Sequence, residues 1–253
     1  MIEDQKYPVM NNPDVDFAFG LHLMSTTQLG IVEIKEGYFS ANSDRFNVKI
    51  IGRGGHGSAP HFCIDPVYIA NQIINLFYGI LARNMNPMTP STFSITKLNA
   101  GQAPNIIPEE CSFGGTIRTV ELTDKKLIQK RMLEIIEGAK LMFACQIEFT
   151  YDEGTSAIYN HTKETEKIIA AAISVVGRSQ VMNPSYLLYG EDFSYFTQKI
   201  PGAYFLVGAA VEGTLKSLSS LLLHHSPKFN FDEEALLIGA SVFMRLIENE
   251  FII

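Results

Sequence analysis

Imidazole is the commonest metal ligand and the commonest general acid or base near neutral pH, so the histidines of this chain mark where chemistry is to be sought. Two distant segments set histidine beside residues that bend the backbone: Gly52-Arg53-Gly54-Gly55-His56-Gly57-Ser58-Ala59-Pro60 and Leu223-His224-His225-Ser226-Pro227-Lys228-Phe229. A histidine on a bent loop is available to a cleft. His22, in Phe19-Gly20-Leu21-His22, closes a predicted strand. Strand ends gather ligands in open α/β sheets, although a satisfied core histidine is the plainer reading. His225 precedes Ser226-Pro227 in a predicted loop. In an extended segment His224 would point the other way, so at most one of this pair is expected to ligate. His61 and His161 read as surface loop residues.

Gly52-Arg53-Gly54-Gly55-His56-Gly57 also fits the dinucleotide fingerprint G-x-G-x-x-G. That motif needs a helix to begin on its last glycine, facing the pyrophosphate. Here Ser58-Ala59-Pro60-His61 intervene, and residues 72–80 offer no acid for a ribose. A nucleotide-dependent oxidoreductase is therefore disfavoured. The glycines are expected instead to adopt positive φ and present His56 outward. Arg118, in Gly115-Thr116-Ile117-Arg118-Thr119, reads as a surface charge or a bidentate clamp for a carboxylate. Asn105, between Pro104 and Pro108, is either a plain turn residue or an amide fixed for substrate contact. Glu191-Asp192 reads as a charged helix start or a cleft carboxylate pair. No Gly-x-Ser-x-Gly elbow and no phosphate-binding P-loop occurs.

The elements that must position these groups read most clearly in the middle of the chain. Phe46, Val48 and Ile50 alternate with polar residues as a half-buried strand. Asp65-Pro66 is an N-cap followed by proline at the first helical position, opening a helix to about Arg83. Phe93 and Ile95 mark a second strand and Cys111 to Val120 a third. Thr123-Asp124 opens a helix through Met142, and Gln146 to Tyr151 forms a fourth strand. This β-α-β-β-α-β order is the ferredoxin-like unit. The flanks predict strands at Phe17–Leu21, Ile31–Ile34 and Ala203–Val207, with helices at Lys163–Val176 and from Glu233 to about Glu248. Neither flank has a core of its own. The expected architecture is α/β: residues 1–43 and 153–253 pack together as one domain, small for an α/β enzyme, with a ferredoxin-like domain, 44–152, inserted between.

Composition narrows the partners. A net charge of −7 without a basic cluster argues against nucleic acid and anionic membranes. No apolar run is long enough to span a bilayer, and Met1 to Lys6 lacks a signal-peptide pattern. Cys63, Cys111 and Cys145 are widely spaced, which predicts buried thiols in a reducing cytoplasm rather than a disulfide framework.

Taken in order, the segments Asn12-Pro13-Asp14-Val15-Asp16, Phe19-Gly20-Leu21-His22, Ser43-Asp44-Arg45-Phe46, Gly54-Gly55-His56-Gly57-Ser58-Ala59-Pro60-His61, Ala103-Pro104-Asn105-Ile106-Ile107-Pro108, Gly115-Thr116-Ile117-Arg118-Thr119, Gly190-Glu191-Asp192-Phe193-Ser194 and His225-Ser226-Pro227-Lys228-Phe229 form a series. The series resembles the dinuclear-metal amidohydrolases that include aminoacylases, hippurate hydrolase and auxin-conjugate hydrolases. The resemblance implies that the activity is cleavage of N-acyl amino acids or peptide-like amides. It implies two divalent ions (Zn, Mn, Co or Ni), with His22 and His225 among the ligands. His56 becomes a lid histidine that polarises the scissile carbonyl, from the partner subunit in many relatives, while Asn105 and Arg118 hold the substrate. The flanking domain, 1–43 and 153–253, becomes an incomplete catalytic domain, and the inserted domain a lid and homodimerisation surface. The family's other metal ligands and its general base should lie upstream of Asn12, so this chain is expected to carry only part of the metal site. A non-catalytic dimerisation module is the alternative.

Overall fold

The computed structural model describes Met10 and residues 14–184, 188–216 and 223–251, so Asn12 and Pro13 of the first motif and the Met1–Lys6 segment lie outside the described residues. The chain forms two compact units. One comprises Met1–Phe39, Ile158–Leu187 and Asp192–Ile253, and the other Ser40–Ala157 with Leu188–Glu191. The inserted segment thus begins and ends a few residues outside the expected 44–152.

The first unit opens with β1 (Ala18–Gln28), β2 (Val32–Glu33) and β3 (Gly37–Tyr38). The inserted unit follows, with β4 (Asn42–Ile51), β5 (Gly55–His56), α1 (Pro66–Asn84), β6 (Ser91–Ala100), β7 (Ile106–Ile107), β8 (Glu110–Thr119), α2 (Leu122–Phe143) and β9 (Gln146–Asp152). The chain then returns to the first unit through β10 (Tyr159–Asn160), α3 (Thr162–Val176), β11 (Val181–Met182), α4 (Ser194–Thr197), β12 (Gly202–Ala210) and α5 (Glu234–Phe251).

The inserted unit's sheet runs β6-β8-β4-β9, all antiparallel. With α1 and α2 as its crossovers this is the ferredoxin-like fold. The alternation of β4 decides which face is covered: Phe46, Val48 and Ile50 are buried, while Arg45 and Asn47 are exposed. Phe46 stacks on Phe93 with 5.0 Å between centroids, and Phe77 and Phe113 complete the aromatic core. Truncating one such ring costs about 3–5 kcal/mol. Asp65 caps α1 as the sequence requires, accepting from the N–H groups of Val67 and Tyr68 at 2.8 and 3.2 Å.

In the first unit the sheet order is β1-β12-β2-β11. β12 reads Gly-Ala-Tyr-Phe-Leu-Val-Gly-Ala-Ala and is buried throughout, as a central strand must be when both its faces are covered. It pairs in parallel with β1 and antiparallel with β2. α3 and α5 pack on each other and against β12, and Val32, Ile168, Phe205, Val207 and Val242 fill that core. A side chain at Gly208 would meet the backbone of Gln28, so glycine lets β1 lie close. Among the described residues no helix is long and apolar enough to cross a membrane. Cys63, Cys111 and Cys145 are free thiols, but only Cys111 is buried, against the expectation of three buried thiols.

Candidate functional site

His22 lies within β1 opposite Leu206 of β12, not at a strand end, because pairing with β12 carries β1 on past Met24. Its ring is exposed, and Nδ1 lies 2.6 Å from the carbonyl oxygen of Leu23. A carbonyl only accepts, so Nδ1 carries the proton and the lone pair resides on Nε2. This is the tautomer of a metal-ligating histidine whose other nitrogen is held by a backbone carbonyl.

The segment 223–229 is a turn, not an extended strand. Its two histidines therefore do not face opposite sides as the extended reading requires. His22, His224 and His225 line one pocket of about 510 Å³ with Leu21, Leu23, Phe229 and Phe231. The ring against His22 is that of His224, edge to face at 5.0 Å. Its Nε2 accepts the N–H of Ser25 at 3.4 Å. Burial first, and then the neighbouring His22 and His225, lower its pKa and favour the neutral ring. His225 is exposed and sits at φ +62°, in the left-handed region. Sequence reasoning discounted His224; a nearby aromatic, Phe229, whose ring lies 4.7 Å from it, was the available signal.

Three histidines in one pocket do not make three ligands. Among the described residues no group of three or more His, Cys, Asp or Glu side chains is placed to hold an ion, and the Nε2 of His224 is engaged by a backbone amide. The donors that remain, His22 Nε2 and the His225 imidazole, suit a borderline divalent ion such as zinc as part of a ligand set.

In the inserted unit His56 and Asn105 come together. β5 and β7 form a two-stranded ribbon in which His56 faces Ile106, and the N–H of Gly57 donates to the carbonyl of Asn105 at 2.8 Å. His56 Nδ1 accepts the N–H of Ser58 at 3.2 Å and contacts its hydroxyl at 2.7 Å. A nitrogen accepting a backbone N–H cannot be protonated, so the neutral ring carries its hydrogen on Nε2. His56 thus presents a donor where His22 presents a lone pair.

The glycines around His56 do not take positive φ; those that do are Gly30, Gly37, Gly101, Gly177 and Gly213. Gly52 and Gly54 are glycine because a Cβ would collide with the backbone carbonyls of Ile64 and Ile107. The motif is one of close packing, and the following helix begins at Pro66, where the sequence places it.

Arg118 is not near that ribbon. It pairs with Ser43 at the start of β4, whereas the ribbon is a separate two-stranded sheet that follows the far end of β4, past Ile51. Its Nη1 donates to Thr116 Oγ1 and to the Ile117 carbonyl. Burial and the adjacent Arg45 lower its pKa, with Asp44 acting in the other direction. His161, expected on a surface loop, bonds through its ring to the backbone of Gly202 at the start of β12.

Residues 27–141 match the peptidase dimerisation domain family. The chain is 36% identical over 236 residues to thermostable carboxypeptidase 1 of Saccharolobus solfataricus, covering 92% of this chain and 57% of that protein. It is 31% identical over 234 residues to N-acetylcysteine deacetylase of Bacillus subtilis, covering 92% and 58%. The crystal structure of the Bacillus subtilis YXEP protein, a dinuclear metal binding peptidase of the M20 family, superposes with a TM-score of 0.73 at 27% identity, covering 92% of this chain and 57% of that one. Residues 27–141 therefore form a peptidase dimerisation domain, and the chain as a whole is similar to amidohydrolases and peptidases of the M20 family. It spans somewhat over half the length of the M20 relatives it matches.

Proposed function

We propose that this chain forms part of a metal-dependent amidohydrolase that cleaves the amide bond of N-acyl amino acids or similar peptide-like substrates. The observation that carries the reading is the pocket in which His22, with its Nε2 lone pair, and His225 are neighbours although they come from opposite ends of the sequence. The names of the relatives support it. A deacetylase of N-acetylcysteine and a carboxypeptidase both break an amide bond beside an amino acid, and the YXEP protein binds two metals.

In this reading His22 and His225 hold a divalent ion (Zn, Mn, Co or Ni) as part of a two-ion site. The remaining ligands come from polypeptide equivalent to the portion of the relatives that this chain does not span. The bound cations supply Lewis-acid chemistry. His56, with its hydrogen on Nε2, donates to the carbonyl oxygen as negative charge develops there, the role of an oxyanion-hole donor. Asn105 orients the amide beside it, and the Arg118 guanidinium takes the substrate carboxylate as a fork.

The positions of these groups favour a homodimer. From Ser43 to Ile51 alone β4 runs about 27 Å, so a small N-acyl amino acid cannot reach both Arg118 and the His56 ribbon of one copy. A second copy, docked through the inserted domain, removes that difficulty. Free thiols suit a reducing cytoplasm.

The test is a chimera in which this chain replaces its aligned portion of the Saccharolobus solfataricus carboxypeptidase. Supplied with Zn²⁺ or Mn²⁺ it should hydrolyse members of an N-acyl amino acid panel and lose most of that rate as His56→Ala. A folded chimera without hydrolysis across the panel, or with a rate indifferent to His56→Ala, removes the reading. Light scattering on the chain itself should give a dimer, and a strict monomer at micromolar concentration would leave Arg118 and His56 in unrelated roles.

A further inference from the structure

We infer that His224 is a positioning residue for His22: an imidazole wedged between the Ser25 amide, the Phe229 ring and the His22 ring, which fixes the orientation of the His22 ring, and with it the Nδ1–Leu23 bond that sets the His22 tautomer, without binding metal itself. The inference rests on the metal reading above only for its consequence; the contacts stand alone.

Three of them constrain the His224 ring. Its Nε2 accepts from the N–H of Ser25, a fully buried residue three positions beyond His22 on the same strand. Its face lies on Phe229 at 4.7 Å with the planes 37° apart. The third contact meets His22 at 71°, edge to face, the arrangement that ring quadrupoles favour over a flat sandwich. Among the described residues, His22, exposed on β1, is otherwise tied through Nδ1 to Leu23, its own neighbour in sequence. That bond is local, between adjacent residues, and holds the ring from one edge. His224 supplies a second, non-local contact.

The same contacts exclude His224 as a ligand. With Nε2 occupied by a backbone donor, the neutral ring carries its proton on Nδ1 and has no free lone pair. This explains why three histidines share a pocket without forming a three-ligand group. Residues that hold a ligating histidine in place typically contribute 10–100-fold to metal affinity.

Two readouts test the inference on the chain as it is. Long-range ¹H–¹⁵N correlation spectra of the metal-free protein report the His22 tautomer directly. The wild type should show a proton on Nδ1, His224→Ala should show mixed tautomers, and His224→Phe, which keeps an aromatic edge, should restore much of the wild-type pattern. Titration with Co²⁺ should then give His224→Ala an affinity about 10–100-fold weaker, with His224→Phe in between and His22→Ala weakest. An unchanged His22 tautomer in a folded His224→Ala protein overturns the inference, as does a nitrogen shift showing Co²⁺ bound directly to His224. If the wild type binds no Co²⁺, the metal reading fails by itself, and the tautomer spectra still decide the role of His224.

Discussion

Arg118 and His56 lie beyond opposite ends of the β4–β8 pairing: Arg118 pairs with Ser43 where β4 begins, and His56 stands on a separate two-stranded ribbon that follows Ile51. Two groups so placed serve one small substrate only across a symmetric pair. The consequence is measurable by complementation. In the active chimera, His56→Ala and Arg118→Ala should each be nearly inactive. Mixed, unfolded together and reassociated, half of the dimers are heterodimers with one intact site of two, so about a quarter of the wild-type rate should return. No recovery in a mixture shown to contain heterodimers would mean that both residues act within one copy or that one of them is not used.

Lys125 and Asp44 form an ion pair of 3.1 Å whose side chains are only 5% and 1% exposed. Asp44 falls in the buried phase of β4, so its charge must be matched from within. It accepts from Lys125, from the Tyr151 hydroxyl at 2.9 Å and from the Gly154 N–H at 3.1 Å. Burial alone would lower the Lys125 pKa; the carboxylates of Glu153 and Asp44 outweigh it and raise it. Removing one partner leaves a buried charge unmatched, which costs about 3–5 kcal/mol. Lys125→Met should lower the urea midpoint accordingly, and Lys125→Met with Asp44→Asn should regain a large part of the loss. A single variant as stable as the wild type, or a double variant worse than the single, would show that the pair is not the anchor it looks to be.

How far the sequence carried the reading depends on whether the deciding interaction was local. The helix start at Asp65-Pro66 and the alternation of Phe46, Val48 and Ile50 are local rules, and both hold. α2 begins at Leu122, one residue before Thr123, with no side-chain cap to mark the start. What failed depended on partners distant in sequence. Gly52 and Gly54 are glycine because Ile64 and Ile107 come close, which no turn rule foresees. His22 is mid-strand because β12 extends the pairing. The face shown by His224 depends on a turn at 224–225 and on Phe229, not on the period of a strand. The separation of Arg118 from His56 is a property of the ladder, invisible to a motif list.

Glu33 offers a test by pH. It accepts from Thr27 Oγ1 at 3.0 Å, but burial dominates and raises its pKa above the ordinary value. With the folded pKa above the unfolded one, the favourable contribution exists below the unfolded pKa, near 4.3, and is lost as pH rises through the folded value. Glu33→Gln should therefore melt higher than the wild type at pH 7 and equally at pH 3.5. A gap of the same size at both pH values would assign the effect to packing and not to ionisation.

His225 separates backbone strain from ligand chemistry. At φ +62° it occupies a region that costs an L-residue about 1–2 kcal/mol, and strain of this kind collects where a side chain is needed for function. Glycine relieves it, partly offset by the extra freedom of glycine in the unfolded chain, about 0.5–1 kcal/mol. Alanine removes the imidazole and keeps the strain. His225→Gly should thus be more stable than His225→Ala by up to about 1 kcal/mol, while both bind Co²⁺ more weakly than the wild type. Thermal melts and Co²⁺ titrations on the same three proteins separate the two effects. Equal stability of the two variants would mean that residue 225 is not left-handed in solution, and undiminished Co²⁺ binding in both would remove His225 from the ligand set.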